Sequence, residues 1–351
     1  MKLRRRWPAV AFTASLVIAC AQPGVAAPQI GYLYPAGGRQ GTTFRITVGG
    51  QSLGGADHVR VSGEGVRASV VEYVRPLDNQ ELRETAGFLR DLVSRRWVAR
   101  VMDAAARKMA DGPALPDHPW LRDLDAKSPM ELARLRNKFF DPKKQPNVQI
   151  AEQVVLEVTI DPDAAPGERE LRVASPAGLS TALRFQVGML PEVREEDFVG
   201  AGEPPTPVVG LPVLLNGQIT PGETDRFRLR ARKGQKLVIR LHARQLIPYL
   251  ADAVPGWFQA TIALHDPSGS EVAYSDDYRF DPDPLLLYEV PADGLYELEI
   301  RDAIYRGRDD FVYRIAVGEL PFVTQVFPLG GQAGVPTVAS IAGWNLPAET
   351  L

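Results

Sequence analysis

The sequence is poor in the residue types that most often carry catalysis or cross-linking. It contains one cysteine, Cys20, and four widely separated histidines, which are His58, His118, His242 and His265. A single cysteine excludes an intrachain disulfide, and the histidines form no HExxH motif that would bind zinc. A GxSxG nucleophile motif is also absent. Gly37–Gly41 is rich in glycine, but no Lys-Ser/Thr pair follows it, so we interpret it as a structural turn. We therefore predict that the chain is not an enzyme.

The charges are nearly balanced, which removes another class of function. Lys and Arg together number 40 and Asp and Glu number 43, giving a formal net charge of −3. A protein that binds nucleic acid usually shows a basic excess on its surface, so no nucleic-acid partner is predicted. The apolar content of 45% over 351 residues suffices for two or three domains with their own cores.

The N-terminus has the pattern of an export signal. Basic residues at positions 2 and 4–6 precede an apolar run from Ala9 to Ala21, which is too short to span a bilayer. Cleavage after the small residues 24–26 predicts a signal peptide over 1–26. Residues 17–20 also resemble a lipobox, in which Cys20 would carry a lipid anchor, and the sequence fits both fates. We predict an exported chain, extracellular, periplasmic or on the cell surface, with no transmembrane helix once mature.

A segment rich in proline and glycine occurs twice. Residues 28–53 and 321–346 align without a gap. The identical pairs are Pro28/Pro321, Pro35/Pro328, Gly37/Gly330, Gly38/Gly331, Gly41/Gly334, Gly50/Gly343 and Leu53/Leu346. Repeats of this kind are typical of arrays of small modules. The second copy predicts that 320–351 is the truncated start of another module.

The remaining pattern is mainly β, with one helical interruption. Apolar residues alternate with polar ones at Val154, Leu156, Val158 and Ile160, which predicts a half-buried strand. A helical stripe instead follows Asp78, which can cap the helix together with Glu81, and we expect Leu82, Leu89, Val93 and Trp97 to pack on the sandwich. Ser128–Pro129 predicts a second helix start. We predict a β-sandwich over 28–190 with a helical insertion at 75–147.

The second half of the sequence predicts a further sandwich after a linker. Residues 191–210 are acidic and rich in proline, which is typical of an extended linker. Short alternating strands then fill 211–319, separated by turn pairs such as Pro221–Gly222 and Asp293–Gly294. This spacing indicates an antiparallel sandwich. The predicted fold class is therefore mainly β, with tandem antiparallel β-sandwiches and a helical insertion in the first.

Two family resemblances rest on these motifs. The repeated Pro…Gly-Gly…Gly segment, with Gly49-Gly50-Gln51-Ser52-Leu53 after its strand, resembles the start of an IPT/TIG domain, which is immunoglobulin-like. Asn216–Ile219, Pro221–Phe227, Lys233–Gln235 and Asp293–Tyr296 resemble a bacterial pre-peptidase C-terminal (PPC) domain. The second resemblance implies a β-sandwich appended to exported proteins, often peptidases, without catalysis of its own.

Two groups of residues are candidate binding sites. Asp276, Asp277, Asp281 and Asp283 supply closely spaced oxygen ligands that suit Ca²⁺, although a solvated loop explains the same residues; no other cofactor is predicted. Five aromatic residues could line a sugar-binding face, but we interpret them as core and turn packing: Trp257, Phe258, Tyr274, Tyr278 and Tyr288.

The function predicted from the sequence is noncatalytic binding or scaffolding at the cell surface or in the extracellular space. The partner would be a protein or a polysaccharide. The alternative is an accessory region of a secreted peptidase whose catalytic domain lies beyond residue 351.

Overall fold

The computed structural model describes residues 26–101, 116–124, 127, 132, 135, 147–195, 208–247 and 257–347. This part of the chain folds into 21 β-strands and one long α-helix. The predicted export signal, both fates of Cys20, and the predicted helix start at Ser128–Pro129 lie outside the described residues. In the part of the chain that is described, no helix is both long and apolar enough to cross a bilayer.

The first sandwich is built from two sheets that enclose an apolar core. One sheet has the strand order β1-β3-β6-β5, and the other has the order β2-β9-β7-β4 with β8 paired to β7. The strands are β1 (Gln29–Tyr34), β2 (Gly37–Arg39), β3 (Thr43–Gln51), β4 (His58–Val61), β5 (Val66–Val74), β6 (Glu152–Ile160), β7 (Gly167–Ser175), β8 (Gly178–Leu179) and β9 (Leu183–Gly188). The alternating residues of β6 are buried in this core, as predicted, and so are Leu183, Phe185 and Val187 of β9.

Helix α1 (Asn79–Val101) lies between β5 and β6, and it begins as predicted. The Asp78 carboxylate accepts from the Gln80 and Glu81 amides, while the Asp78 amide donates to the Glu81 carboxylate at 2.9 Å. This is a complete capping box.

The packing of α1 differs from the expectation. Leu89 and Leu92 form a separate small core with Leu121, Leu124 and Leu132, so these two residues, among the described side chains of the helix, pack outside the core of the sandwich. The reason is a short 3₁₀ turn at Pro119–Leu121 that lies against the helix. His118 holds this turn, because its Nε2 bonds the Arg75 carbonyl oxygen at 2.8 Å. The side chains of Val93 and Trp97 lie outside the described residues.

The second sandwich has two five-stranded sheets. Their orders are β10-β12-β19-β14-β17 and β11-β13-β18-β15-β16. The strands are β10 (Glu192–Arg194), β11 (Val208–Val209), β12 (Val213–Gln218), β13 (Asp225–Ala231), β14 (Lys236–His242), β15 (Ala260–His265), β16 (Glu271–Ser275), β17 (Leu285–Glu289), β18 (Gly294–Asp302) and β19 (Val312–Gly318). The mainly β fold with tandem sandwiches is therefore confirmed.

The segment predicted as a linker has strands at both of its ends. β10 pairs in parallel with β12, and β11 pairs in parallel with β13. Each strand therefore extends a sheet of the second sandwich, although residues 191–210 are proline-rich. The pairing is stabilised by side chains as well as backbone, since Asn216 Nδ2 on β12 donates to Glu192 Oε2 on β10 at 3.0 Å.

The repeated sequence forms the same hairpin twice. β20 (Phe322–Phe327) pairs with β21 (Ser340–Trp344), and every residue pair copies one between β1 and β3. For example, Phe327↔Ser340 corresponds to Tyr34↔Thr47. Both hairpins also have a register shift at the equivalent place, Ile30/Tyr32 in the first and Val323/Gln325 in the second. The repeat thus fixes strand pairing down to a single irregularity.

Candidate functional site at the junction of the two sandwiches

A buried arginine lies where the two sandwiches meet. Arg314 is in the middle of sheet β10-β12-β19-β14-β17, opposite Asn216 on β12 and opposite His242 on β14. Only 1% of Arg314 is exposed. A buried charge of this kind is costly unless it is paired and hydrogen-bonded, so its partners determine whether the junction holds.

The guanidinium of Arg314 has partners from both sandwiches. Nη2 and Nη1 donate to Glu192 Oε1 and Oε2, at 2.7 Å and 3.2 Å. Nη1 also donates to Asn216 Oδ1 at 2.7 Å. From the first sandwich, Gln186 Oε1 accepts from Arg314 Nε at 3.1 Å. We call these four residues the Arg314 network. It joins β9 of the first sandwich to β10, β12 and β19 of the second.

Gln186 extends the network to a histidine. Its Nε2 amide donates to His242 Nδ1 at 2.9 Å, so this ring nitrogen must accept and His242 is neutral. Burial, with the positive charges of Arg240 and Arg314, lowers the pKa of His242 to about 4. Protonation of His242 at lower pH would place an N–H at Nδ1, directly against the Gln186 amide that already donates to this atom.

A pair of acidic side chains lies next to this network. Tyr34 OH from the first sandwich donates to Glu195 Oε1 at 3.4 Å, and the Gln218 amide donates to the same atom at 3.2 Å. Tyr313 OH donates to Asp225 Oδ2 at 2.7 Å. Burial, the charge of Asp225 and a hydrogen bond to Asp225 raise the pKa of Glu195 well above its usual value. The protonated form of Glu195 is therefore favoured beside an acidic neighbour.

Apolar contacts and a glycine complete the junction. Val312 on β19 and Leu246 from the second sandwich belong to the buried core of the first. A Cβ at Gly37 would lie 2.2 Å from the Gln186 carbonyl oxygen and 2.8 Å from Arg314 Cζ. Only glycine fits here, because β2 pairs with β9 directly above the guanidinium.

The acidic residues predicted to bind calcium do not share one arrangement. Asp283 is buried, and its two oxygens accept from the Arg244 amide at 2.7 Å and the Gln245 amide at 2.9 Å. Asp281 Oδ1 accepts from the Asp283 amide at 3.0 Å, whereas Asp276 and Asp277 are exposed. Among the described residues, no group of three or more His, Cys, Asp or Glu side chains is placed to hold a metal ion. The calcium site stays a prediction.

The five aromatic residues lie in different parts of the second sandwich. Phe258 is buried and stacks on Phe311, with ring centroids 5.1 Å apart. Tyr274 on β16 and Tyr288 on β17 belong to opposite sheets. Trp257 lies under the Arg244 guanidinium, 6.0 Å from the ring centroid, and Tyr278 contacts Phe322 of the second hairpin, 5.7 Å away. Packing accounts for Phe258, Tyr278 and Tyr288.

Sequence reasoning missed the Arg314 network. Period-two alternation places Tyr313, Ile315 and Val317 in the core and predicts a solvated face for Arg314. The row Asn216, Arg314 and His242 emerges only from strand register, which alternation alone does not give. The one local clue is Gly37, a glycine in a strand where another backbone or side chain approaches closely.

Comparisons with known proteins give partial similarities. No family model matches the chain. Over 139 residues the chain is 27% identical to a probable subtilase-type serine protease of Deinococcus radiodurans. This match covers 37% of the chain and 18% of that protein, so the chain spans less than a fifth of the curated relative's length.

Among solved structures, the chain is similar to the pre-peptidase C-terminal domain of a collagenase from Bacillus anthracis. The identity is 16% and the TM-score 0.24, over 33% of this chain and 99% of that one. It is also similar to the secreted serine protease VesC from Vibrio cholerae, with 11% identity, a TM-score of 0.20, and coverage of 85% of this chain and 48% of that one.

Proposed function

We propose that this chain is a noncatalytic binding and scaffolding part of an exported protein, in which the two sandwiches act as one rigid body. The Arg314 network carries this proposal. A guanidinium with partners on β9, β10 and β12 fixes the orientation of the first sandwich relative to the second. Two sandwiches joined by a flexible linker would not bury a charge between them.

The chemistry of the junction also favours a structural role. Its arginine makes four hydrogen bonds, its histidine is neutral and accepts from Gln186, and its apolar residues close the interface. A catalytic base needs an open position beside a reacting atom. The side chains here instead bond one another, so their effect is to hold two β-sandwiches in register.

A second candidate function is supported by the comparisons. The relative from Deinococcus radiodurans is a probable serine protease, and the chain matches a small part of it. The sequence resemblance to PPC domains points the same way. In this version, the rigid pair of sandwiches is an accessory region of an exported peptidase and helps to present protein substrate.

Rigidity is tested by a distance measurement between the sandwiches. His58 on β4 and Glu271 on β16 are exposed, one on each sandwich. Cysteines introduced at these two positions would each carry a spin label. We expect one narrow distance distribution, which broadens when Arg314→Ala removes the network. A broad distribution in the otherwise unaltered chain would reject the scaffold.

The binding role is tested by retention on immobilised ligands. The accessory version predicts retention on denatured casein and no casein hydrolysis by the purified chain. Retention on a polysaccharide column instead would favour a glycan partner. A serine-protease inhibitor is added to block contaminating proteases. Casein hydrolysis that co-purifies with the chain and persists in the presence of this inhibitor would contradict a noncatalytic role.

A further inference from the structure

The outer face of the sheet β11-β13-β18-β15-β16 carries an arginine between two exposed tyrosines. Residues two apart on a strand lie on the same side of a sheet, and the intervening residues of β15 and β18 are buried in the core. Arg301 of β18 lies opposite Thr261 of β15. Tyr274 of β16 lies opposite Ala263, two residues along β15, so both side chains are on the outer side. The ring of Tyr305, which follows β18, has its centre 4.7 Å from Arg301 Cζ.

Tyr305 is held in a strained backbone conformation. Its φ is 58°, which is an outlier for a bulky residue. The loop around it is fixed by the buried carboxylate of Asp302. Asp302 Oδ2 accepts from the Ile304 amide at 3.2 Å and from the Arg306 amide at 3.0 Å, and Oδ1 accepts from Arg306 Nη2 at 2.8 Å. Strained residues persist where their surroundings force them, and they cluster at ligand sites.

Both tyrosine rings are exposed although their positions are fixed. Tyr305 is 59% exposed and Tyr274 is 45% exposed. Partial burial and the charge of Asp276 raise the pKa of Tyr274, while the charge of Arg301 lowers it, so Arg301 is close to both tyrosines. Rigid tyrosines beside an arginine provide contact area to a ligand at little cost in conformational entropy.

The charges around Arg301 are paired with one another. Glu299 Oε1 lies 3.4 Å from Arg301 Nε, and Glu299 Oε2 accepts from Arg226 Nη2. Arg226 Nη1 also donates to Glu297 Oε1 at 2.8 Å. This cluster of two arginines and two glutamates has no net charge, so electrostatic complementarity favours an uncharged ligand.

We propose that this surface, which we call the Tyr305 face (Tyr274, Glu299, Arg301 and Tyr305), binds a neutral polysaccharide. The two rings would stack on the apolar faces of sugar rings. Arg301 Nη2, which has no hydrogen-bond partner in the described part of the chain, would donate to a hydroxyl. Each sugar unit combines an apolar ring face with polar groups, whereas an apolar protein partner would need one continuous apolar patch. The proposal rests on the binding role proposed above and names its surface and ligand class.

The test is native affinity electrophoresis of the whole chain in gels that contain soluble β-glucan, glucomannan, galactomannan or, as a charged comparison, polygalacturonate. We expect at least one neutral polymer to retard the chain. Tyr305→Asn should weaken this binding at least about tenfold, whereas Tyr305→Phe keeps the stacking ring and should retain it. Phe280→Ala, which removes an exposed ring at the turn between β16 and β17, should leave the binding unchanged.

A melting measurement separates a ligand-binding role of Tyr305 from a role in folding. Asparagine adopts a positive φ more readily than tyrosine. Tyr305→Asn should therefore raise the melting temperature or leave it within about 4 °C of the unaltered chain. A larger fall would assign the strained ring to folding and would overturn the proposal.

Three binding results would also overturn it. These are no retardation by any of the neutral polymers, retardation by polygalacturonate alone, and retention on denatured casein that Tyr305→Asn abolishes, which would make a polypeptide the ligand of this face. Casein retention that Tyr305→Asn leaves unchanged, without polysaccharide binding, rejects the Tyr305 face and keeps the binding role. The absence of both kinds of binding rejects the binding role as well, and the distance measurement between the sandwiches is independent of either result.

Discussion

The two copies of the hairpin have almost the same backbone and opposite surroundings. β1 and β3 bury most of their apolar side chains in the core of the first sandwich, whereas the apolar side chains of β20 are largely exposed. The shared prolines and glycines set the pairing and the turns in both, because these are local properties of the chain. The burial of each hairpin depends on which strands from distant parts of the sequence pack against it.

One glycine shows the difference most directly. A Cβ at Gly37 would meet Gln186 and Arg314, while a Cβ at its counterpart Gly330 has nothing within 4 Å. The same residue is therefore required for close packing in one copy and has free space around it in the other. A repeated sequence motif does not imply a repeated constraint at every position.

The largest effect is expected from breaking the junction that only the first hairpin has. Arg314→Met should lower the free energy of unfolding by about 4 kcal/mol, because it removes a fully buried guanidinium and leaves the mostly buried Glu192 carboxylate without its cation. Denaturant unfolding measures this. As a control, Arg226→Met removes an exposed bridge to Glu297 and Glu299 and should cost less than about 1 kcal/mol. Equal losses would mean that the Arg314 network does not hold the sandwiches together.

The next effect compares equivalent apolar residues. Leu33→Ala should cost about 3 kcal/mol because it leaves a cavity in the core of the first sandwich. Its counterpart Val326 is exposed, and Val326→Ala should cost less than about 1 kcal/mol. Both are measured by denaturant unfolding. A large loss for Val326→Ala would show that the second hairpin is covered in solution.

A third effect depends on acid. The pKa of His242 is about 4 in the folded chain and near 6.5 when unfolded, so the unfolded state binds more protons between these values. Stability should therefore fall as pH drops from about 6.5 to 4, by up to about 3 kcal/mol from this group. His242→Gln should flatten the profile, and His58→Gln, at an exposed site, should not. A profile that His242→Gln leaves unchanged would contradict the neutral, buried histidine.

The sequence was sufficient for most of the fold. Alternation identified the buried face of β6, and the capping box at Asp78 and Glu81 gave the start of α1, because both patterns depend on near neighbours in the chain. Alternation also separated Tyr313 and Ile315 from Arg314 correctly, but it could not show that the first sandwich covers the Arg314 face.

Long-range pairing explains what the sequence did not reveal. β10 looks like linker because its three residues have no pattern of their own; it is a strand because β12 and Arg314 bind it. Likewise Leu89 and Leu92 of α1 pack against Leu121 rather than the sandwich, since a later segment of the chain lies beside the helix. The predicted calcium ligands Asp276, Asp277, Asp281 and Asp283 are close in sequence, and both oxygens of Asp283 accept from backbone amides; the calcium site stays a prediction.

A smaller effect tests the glycine comparison. Gly37→Ala should destabilise the chain by about 2 kcal/mol, because the added methyl overpacks the contact between β2, β9 and Arg314. Gly330→Ala should stay within about 0.5 kcal/mol of the unaltered chain. Thermal unfolding of the two variants side by side measures both. If the two changes have equal effects, the junction adapts to the methyl group and Gly37 is not required there.

The smallest effect near neutral pH concerns Glu195, which accepts a hydrogen bond from the Tyr34 hydroxyl. Phe327, the counterpart of Tyr34, has no hydroxyl. Tyr34 bonds Glu195, whose pKa is raised by burial, by Asp225 and by a hydrogen bond to it. The folded chain then holds a proton that the unfolded chain has lost above about pH 4.5, so stability should fall as pH rises toward the raised pKa. Glu195→Gln keeps the neutral form and should reduce this fall, whereas Glu170→Gln, at an exposed site, should not. Identical pH profiles for the two variants would show that Glu195 is ionised beside Asp225 in the folded chain.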